Sequence, residues 1–295
     1  MVYTEFVNSD GLVRDVPKTI AKMHTLEEEA PVGIQIYGQH PDAMVDAARM
    51  AERAAELTGG HGADLVDINF GCPVSKIAGR GAGSGMMREP DKMVAITKAV
   101  VEAVGKPVTV KTRLGWDDNS KIIVELAERL QDVGIAALTI HGRTRCQLYK
   151  GEADWTLIGA VKANPRMHIP IIGNGDITDG PSAKQAFERY GVDGIMIGRA
   201  TFGHPWIFRE IRHDLDHGEP MPALTVAEKV ALARRHLALS LQYKGEPRGI
   251  YEMRRHLSCY FKGLPDFKET RMRMVTTLDV AELNDILDTI EQQYD

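Results

Sequence analysis

Through residue 198 the chain is punctuated by seven short apolar, largely β-branched runs: 2–7 (VYTEFV), 32–37 (VGIQIY), 65–70 (LVDINF), 108–114 (VTVKTRL), 137–141 (ALTIH), 170–173 (PIIG) and 194–198 (GIMIG). Between most of them apolar residues recur at helical spacing, over 41–57, 90–104, 120–132 and 181–190, several of these stretches opening with Pro or Asp in the first turn. Strand and helix alternating this often predict a parallel sheet. The strands read as near-continuous apolar runs that end in polar residues: Asp67-Ile68-Asn69, Val110-Lys111-Thr112-Arg113, Ile140-His141-Gly142-Arg143 and Gly173-Asn174-Gly175-Asp176. Polar groups at nearly every strand end predict a TIM-type (β/α)8 barrel, whereas a doubly wound sheet would gather them at one switch point.

A full barrel needs eight strands and the pattern supplies seven, so the expectation is a barrel that begins at its second strand, with the first β/α unit absent from this chain. From about residue 217 (HGEPMP) the chain reads as a linker, and the remainder has helical period without strand runs. Thr225 and Glu228 have capping-box spacing and open a helix to about 243, with further helices expected at 248–262 and 279–293. The expected division is a barrel over residues 1–216 and a small all-helical domain over 223–295. Arg248, Arg255 and Lys262 are spaced by seven and share a helix face, while Ile250, Met253, Leu257 and Phe261 can pack elsewhere.

Composition excludes several classes. With 295 residues, 43% hydrophobic and 26% charged, the chain is neither a disordered tail nor a fibre, and it can bury a full-sized core. Cys72, Cys146 and Cys259 lie far apart without a C-x-x-C, which disfavours a zinc site or a disulfide framework and fits a reducing compartment. No metal is expected. The N-terminus lacks the charged and apolar regions of a signal peptide, and no apolar stretch approaches the roughly 18 residues of a membrane span, so the expectation is a cytoplasmic protein with no membrane partner. A net charge of −5 argues weakly against nucleic acid, but residues 221–275 hold eleven Lys/Arg against five Asp/Glu, while 276–295 hold six acids and no base. The basic stretch outweighs the average.

Candidate chemistry gathers at the strand ends. Cys72 follows a strand, sits between Gly71 and Pro73, and precedes a Gly-rich segment at 79–85 that would let its loop move. A thiol is mostly protonated near neutral pH yet can release its proton, which suits a general acid; an inert buried thiol is the alternative. Lys111 at the barrel mouth needs an anionic partner such as a phosphate or a reduced flavin, unless it snorkels to solvent. Asn174-Gly175-Asp176 and Gly198-Arg199 end the two late strands, where barrels commonly bind phosphate. His141 and Arg143 concentrate donors suited to a ring carbonyl and a nucleic-acid phosphate, whereas Arg145 reads as part of a solvated basic loop.

With these strand ends in view, the chain resembles the tRNA-dihydrouridine synthases, and among them the bacterial B-type subgroup. The resemblance rests on Asp67-Ile68-Asn69-Phe70-Gly71-Cys72-Pro73, Val110-Lys111-Thr112-Arg113, His141-Gly142-Arg143-Thr144, Asn174-Gly175-Asp176-Ile177, Ile197-Gly198-Arg199-Ala200 and Pro205-Trp206-Ile207-Phe208, in the family's order and over nearly the whole chain. It implies an FMN-bound barrel reduced by NADPH, or NADH, and a helical domain that binds tRNA. Hydride would pass to uracil C6, and Cys72 would protonate C5. By the same resemblance Gln35, Lys111, His141, Asn174, Gly175, Asp176, Gly198 and Arg199 look like FMN contacts, the last group at the phosphate. Asn69 and Arg113 look like uracil contacts, with Arg143, Arg248, Arg255 and Lys262 completing the substrate set. The family's Ala-Pro-Met motif at the end of the first strand has no counterpart before Tyr3. Two other functions remain compatible with parts of the pattern: a flavin barrel acting on a free pyrimidine, and a tRNA-binding protein without catalysis.

Overall fold

A computed structural model describes residues 1–295. Its centre is a parallel sheet of eight segments, β1 (Val2–Tyr3), β2 (Val7–Asn8), β3 (Val32–Tyr37), β4 (Leu65–Asn69), β5 (Val108–Arg113), β6 (Ala137–His141), β7 (Ile171–Asn174) and β8 (Gly194–Met196). From β3 onward each strand pairs with the next in sequence, and β1 and β2 both pair along the free side of β3. The fold is α/β of the TIM-barrel type, and its strands account for all seven runs.

The first run is interrupted. Val2 is in register with Val32 but Val7 with Ile36, a one-residue slip that makes a bulge between β1 and β2. There the Gln35 N–H donates to Thr4 Oγ1 at 3.1 Å instead of to a strand carbonyl.

Side chains along each strand alternate between two faces. Ile34, Ile36, Val66, Ile68, Val110, Leu138 and Ile140 form one buried apolar set. The alternate positions are polar, including Gln35, Asp67, Asn69, Thr109, Lys111, Thr139 and His141. These strands are therefore amphipathic, not the near-continuous apolar runs that the sequence suggested.

Helices follow the strands over Pro41–Glu52, Pro90–Ala103, Ile123–Asp132 and Gly180–Tyr190. The expected helix over 41–57 breaks at Arg53, and its continuation, Ala54–Thr58, ends on a left-handed Gly59. A helix at Thr156–Ala163, only eight residues long, escaped the periodicity reading.

The chain divides into two compact units, residues 1–177 with 184–196, and residues 178–183 with 197–295. The second is built on the helices Ile207–His217, Val226–Lys244, Arg248–Tyr260, Lys268–Thr276 and Val280–Tyr294. The capping box forms as its spacing predicts: Glu228 N–H donates to Thr225 Oγ1 at 3.2 Å and Thr225 N–H to Glu228 Oε2 at 2.9 Å. Val230, Ala233, Leu237, Ile250, Met253 and Leu257 meet Leu283, Ile286 and Leu287 in a core of this unit's own. No helix is long and apolar enough to cross a membrane.

Candidate active site

Strand register decides which polar side chains meet. Gln35 pairs with Asp67 and Asp67 with Thr109; Asn69 pairs with Lys111 and Lys111 with Thr139; Arg113 pairs with His141 and His141 with Asn174. Residues paired across parallel strands share a face, so these groups form successive polar tiers towards the C-terminal strand ends.

The turn carrying Cys72 is held from several directions. Asn69 Oδ1 accepts the N–H groups of Gly71 and Cys72, both at 2.9 Å. Ser84 N–H and Oγ both donate to the Cys72 carbonyl, at 3.1 and 2.8 Å. Arg113 Nε donates to the Gly71 carbonyl at 2.7 Å. The Cys72 residue is only 7% exposed. All these bonds involve backbone groups of the turn, which leaves its thiol outside the scaffold.

This arrangement corrects the expectation of a mobile Gly-rich loop. Gly83–Arg88 is a 3-10 helix whose Gly83, Ser84 and Gly85 are buried. A Cβ on Gly85 would lie 2.4 Å from the Ala78 carbonyl oxygen. The glycines here permit close packing of backbone on backbone. Gly85→Ala is expected to cost about 1–3 kcal/mol, the usual range for overpacking, as a lower urea midpoint at unchanged slope. An unchanged midpoint would show that the 75–88 segment can yield.

Arg113, expected to hold uracil, is fully buried and also donates Nη1 to the Thr144 and Leu148 carbonyls, at 2.9 and 3.0 Å. It ties the Cys72 turn to the segment after β6. Burial lowers its pKa to about 10, so the guanidinium keeps its charge at neutral pH. Lys111 is different: its Nζ makes no hydrogen bond or ion pair within the chain, and burial pushes its pKa down to about 8, with Arg113 adding to the effect. An ammonium in that setting is stabilised by an incoming anion or carbonyl.

Arg143 and Asp176, expected to meet substrate and cofactor, meet each other. The guanidinium donates to both carboxylate oxygens, Nη1 to Oδ1 at 3.0 Å and Nη2 to Oδ2 at 2.6 Å. Arg143 also donates to the Gly151 carbonyl at 2.6 Å, and Asp176 accepts the Ala153 N–H at 2.8 Å. Together they bind the 148–153 segment to the end of β7. Arg143 Nη1 lies 3.3 Å from His141 Nε2. Because a guanidinium can only donate, this contact is a hydrogen bond only in the tautomer whose Nε2 carries no proton.

Gly175 has φ +124°, and a Cβ there would press on Ala153 and the His141 ring, at 2.7 and 3.0 Å. Its carbonyl accepts the Trp155 indole N–H at 3.0 Å. Asn174 Nδ2 donates to the Met196 carbonyl at 2.7 Å. Arg145 is not the solvated residue that the sequence suggested: it and Arg88 lie 4.6 and 4.2 Å from the centroid of the Trp116 ring.

In the second unit Arg199 opens a 3-10 turn, and Thr201 Oγ1 donates to the Gly198 carbonyl at 2.8 Å. A Cβ added at Gly198 would meet nothing within 4 Å. The helix expected over 248–262 stops at Tyr260, which leaves Lys262 in the following turn. Arg248 pairs with Glu252 at 2.8 Å, and Arg255 lies over the Phe202 ring at 4.1 Å. Lys262 instead joins Lys268 and Arg271 on a cleft of about 450 Å3 that also includes Cys259. Sequence reasoning missed Lys268 and Arg271, although their i, i+3 spacing could have found them.

A TIM-type parallel sheet whose polar groups and one thiol lie towards the C-terminal strand ends places the protein in the α/β-barrel class, where those ends carry the functional groups. Residues 1–294 match the dihydrouridine synthase family, and the chain belongs to it. It is 43% identical over 290 residues to a probable tRNA-dihydrouridine synthase 1 of Synechocystis sp., covering 98% of this chain and 78% of that one. It is 42% identical over 262 residues to tRNA-dihydrouridine synthase B of Proteus vulgaris, covering 89% and 78%. A probable tRNA-dihydrouridine synthase of Rickettsia conorii is 39% identical over 272 residues, covering 92% and 80%.

Proposed function

We propose that the enzyme reduces the C5–C6 double bond of specific uridines in tRNA to 5,6-dihydrouridine in the cytoplasm, with FMN bound in the barrel and NADPH as reductant. The observation that carries this reading is Cys72, a thiol outside the scaffold on a turn pinned beside the polar tiers. The residues fit FMN. Lys111 lacks a hydrogen-bonded partner, and Gly175 has a backbone conformation and surroundings that leave no room for a side chain. Gln35, Lys111, His141, Asn174 and Gly175 hold the cofactor in this reading, and Asp176 acts through Arg143. When bound, FMN supplies the hydride that reaches uracil C6.

Cys72 gives its proton to C5, so hydride and proton together add two hydrogens across the double bond. Asn69 and Arg113 position the uracil largely by holding the turn. A uracil stacked in folded tRNA cannot enter a barrel mouth, so it must be turned out at a cost of a few kcal/mol. The unit of residues 1–177 and 184–196 then carries the flavin barrel, and the helices from Val226 onward supply the offsetting phosphate contacts through Arg248 and Arg255, with Lys262, Lys268 and Arg271 beside them.

Charge reversal at Arg255 and Lys262 is expected to weaken tRNA binding and to flatten its dependence on salt by about 0.7 to 0.9 in log–log slope for each phosphate no longer neutralised. Filter binding over a salt series measures this. An unchanged slope would remove these residues from the interface. For the function as a whole, the purified protein is titrated with FMN and then supplied with NADPH and unmodified tRNA. Flavin uptake and dihydrouridine detected by mass spectrometry are expected. Tight flavin binding with turnover of free uracil alone would overturn the reading.

A further inference from the structure

Behind the Cys72 turn runs an unbroken chain of buried hydrogen bonds that the proton-donor role does not itself explain. Thr109 Oγ1 donates to Asp67 Oδ1 at 2.6 Å, and Gln35 Nε2 donates to Asp67 Oδ2 at 2.7 Å. Asn69 Nδ2 donates to Gln35 Oε1 at 2.7 Å, and Asn69 Oδ1 accepts the Gly71 and Cys72 N–H groups at 2.9 Å. Asp67, Gln35, Asn69 and Thr109 are all buried. The two amides could each be turned end for end, but a carboxylate can only accept. With Asp67 at the root, Gln35 must present Nε2 to it and Oε1 to Asn69, and Asn69 must present Oδ1 to the turn.

We propose that Asp67 is a positioning residue for the proton-donating step: it sets the direction of the Gln35–Asn69 amide chain and so holds the Cys72 turn in its working geometry. Its effect on turnover rests on the dihydrouridine synthase reading, whereas its hold on the turn does not. Lys111 on β5 and Tyr3 on β1 are the titratable groups that face it. Burial raises Asp67 to about 6, opposed by its two hydrogen bonds and by Lys111, so the carboxylate remains charged at neutral pH. Burial, with Asp67 adding to it, raises Tyr3 to about 12, so that hydroxyl keeps its proton.

The chain's direction can be tested by exchanging its groups. Asp67→Asn places an amide against Gln35, and Gln35→Glu places a second carboxylate against Asp67. The double variant restores one carboxylate and one amide, and Asn69 again meets an acceptor. The first readout is alkylation of Cys72 by iodoacetamide in the flavin-free protein, followed site by site by mass spectrometry. It needs no turnover, so it stands even if the proposed reaction is wrong. Each single variant is expected to change the Cys72 rate by about tenfold or more, and the double variant to return within about threefold of the parent, the non-additivity typical of one hydrogen-bond network. The second readout is turnover per bound flavin, where Asp67→Asn should lower kcat while leaving KM for tRNA nearly unchanged. A double variant as impaired as the sum of the singles, or an Asp67→Asn protein with parental Cys72 reactivity and kcat, overturns the proposal. Should a single variant fail to fold, the recovery of the double variant still decides it.

Discussion

Replacing Cys72 with alanine is expected to lower dihydrouridine formation by about 10²-fold or more, the usual scale for removing a general acid. FMN uptake and tRNA affinity should be retained. The reason lies in how the turn is built: Asn69, Ser84 and Arg113 grip the backbone N–H of Cys72, its carbonyl and the carbonyl of Gly71, and none of these bonds involves the sulfur. Alanine therefore leaves the scaffold standing and removes only the proposed proton source. Cys72→Ser should also be slow, because a hydroxyl holds its proton far more tightly than a thiol. The measurement is single-turnover conversion of tRNA uridine by the reduced, flavin-loaded protein, alongside flavin absorbance and tRNA binding. Near-parental conversion by Cys72→Ala would assign the proton to another group, and loss of flavin with the thiol would mean that Cys72 supports the cofactor site.

Asp176→Ala is expected to destabilise the barrel unit by about 3 kcal/mol, the low end of the range for breaking a buried ion pair. Arg143 has 2% of its side chain exposed but Asp176 has 36%, so solvent can partly compensate the cation left behind. The same substitution removes the acceptor for the Ala153 N–H and frees the guanidinium that also holds the Gly151 carbonyl, so one anchor of the 148–153 segment is lost and a second is loosened. Denaturant unfolding should show the shift, and limited proteolysis should show new cleavage within 148–153. A shift below about 1 kcal/mol would indicate that Arg143 finds other acceptors. Because Arg143 also approaches His141 Nε2, the variant should bind FMN more weakly as well.

Much of the candidate site is legible in the sequence, because strand ends are short and local. Cys72, Lys111, His141 and Asn174 stand out as polar residues closing apolar runs, and that signal survives without knowledge of partners. The roles of Arg113 and Arg143 are not legible there. Both look like free donors in the sequence, yet Arg113 is spent on the carbonyls of Gly71, Thr144 and Leu148, and Arg143 on Asp176 and Gly151. Acceptors 31 to 42 residues away, as for Arg113, cannot be foreseen from local pattern. Asp67 stands in the sequence only as part of a motif, since nothing local says that it lies against Gln35 and Thr109.

The amino-acid sequence alone determined the strand and helix alternation, the capped helix at Thr225, the basic character of residues 221–275 and the order of strand-end motifs. Each of these arises from interactions within one element, where side-chain period and capping chemistry act over a few residues. Only the tertiary structure decided that the Gly-rich segment after Cys72 is packed instead of mobile, that Arg143 and Asp176 form one ion pair, and that Asp67 stands at the root of a chain ending on Cys72. The last of these depends on strand register, which aligns Gln35 with Asp67, Asp67 with Thr109 and Asn69 with Lys111. Register is a property of pairs of strands, so it becomes definite only when the sheet is assembled.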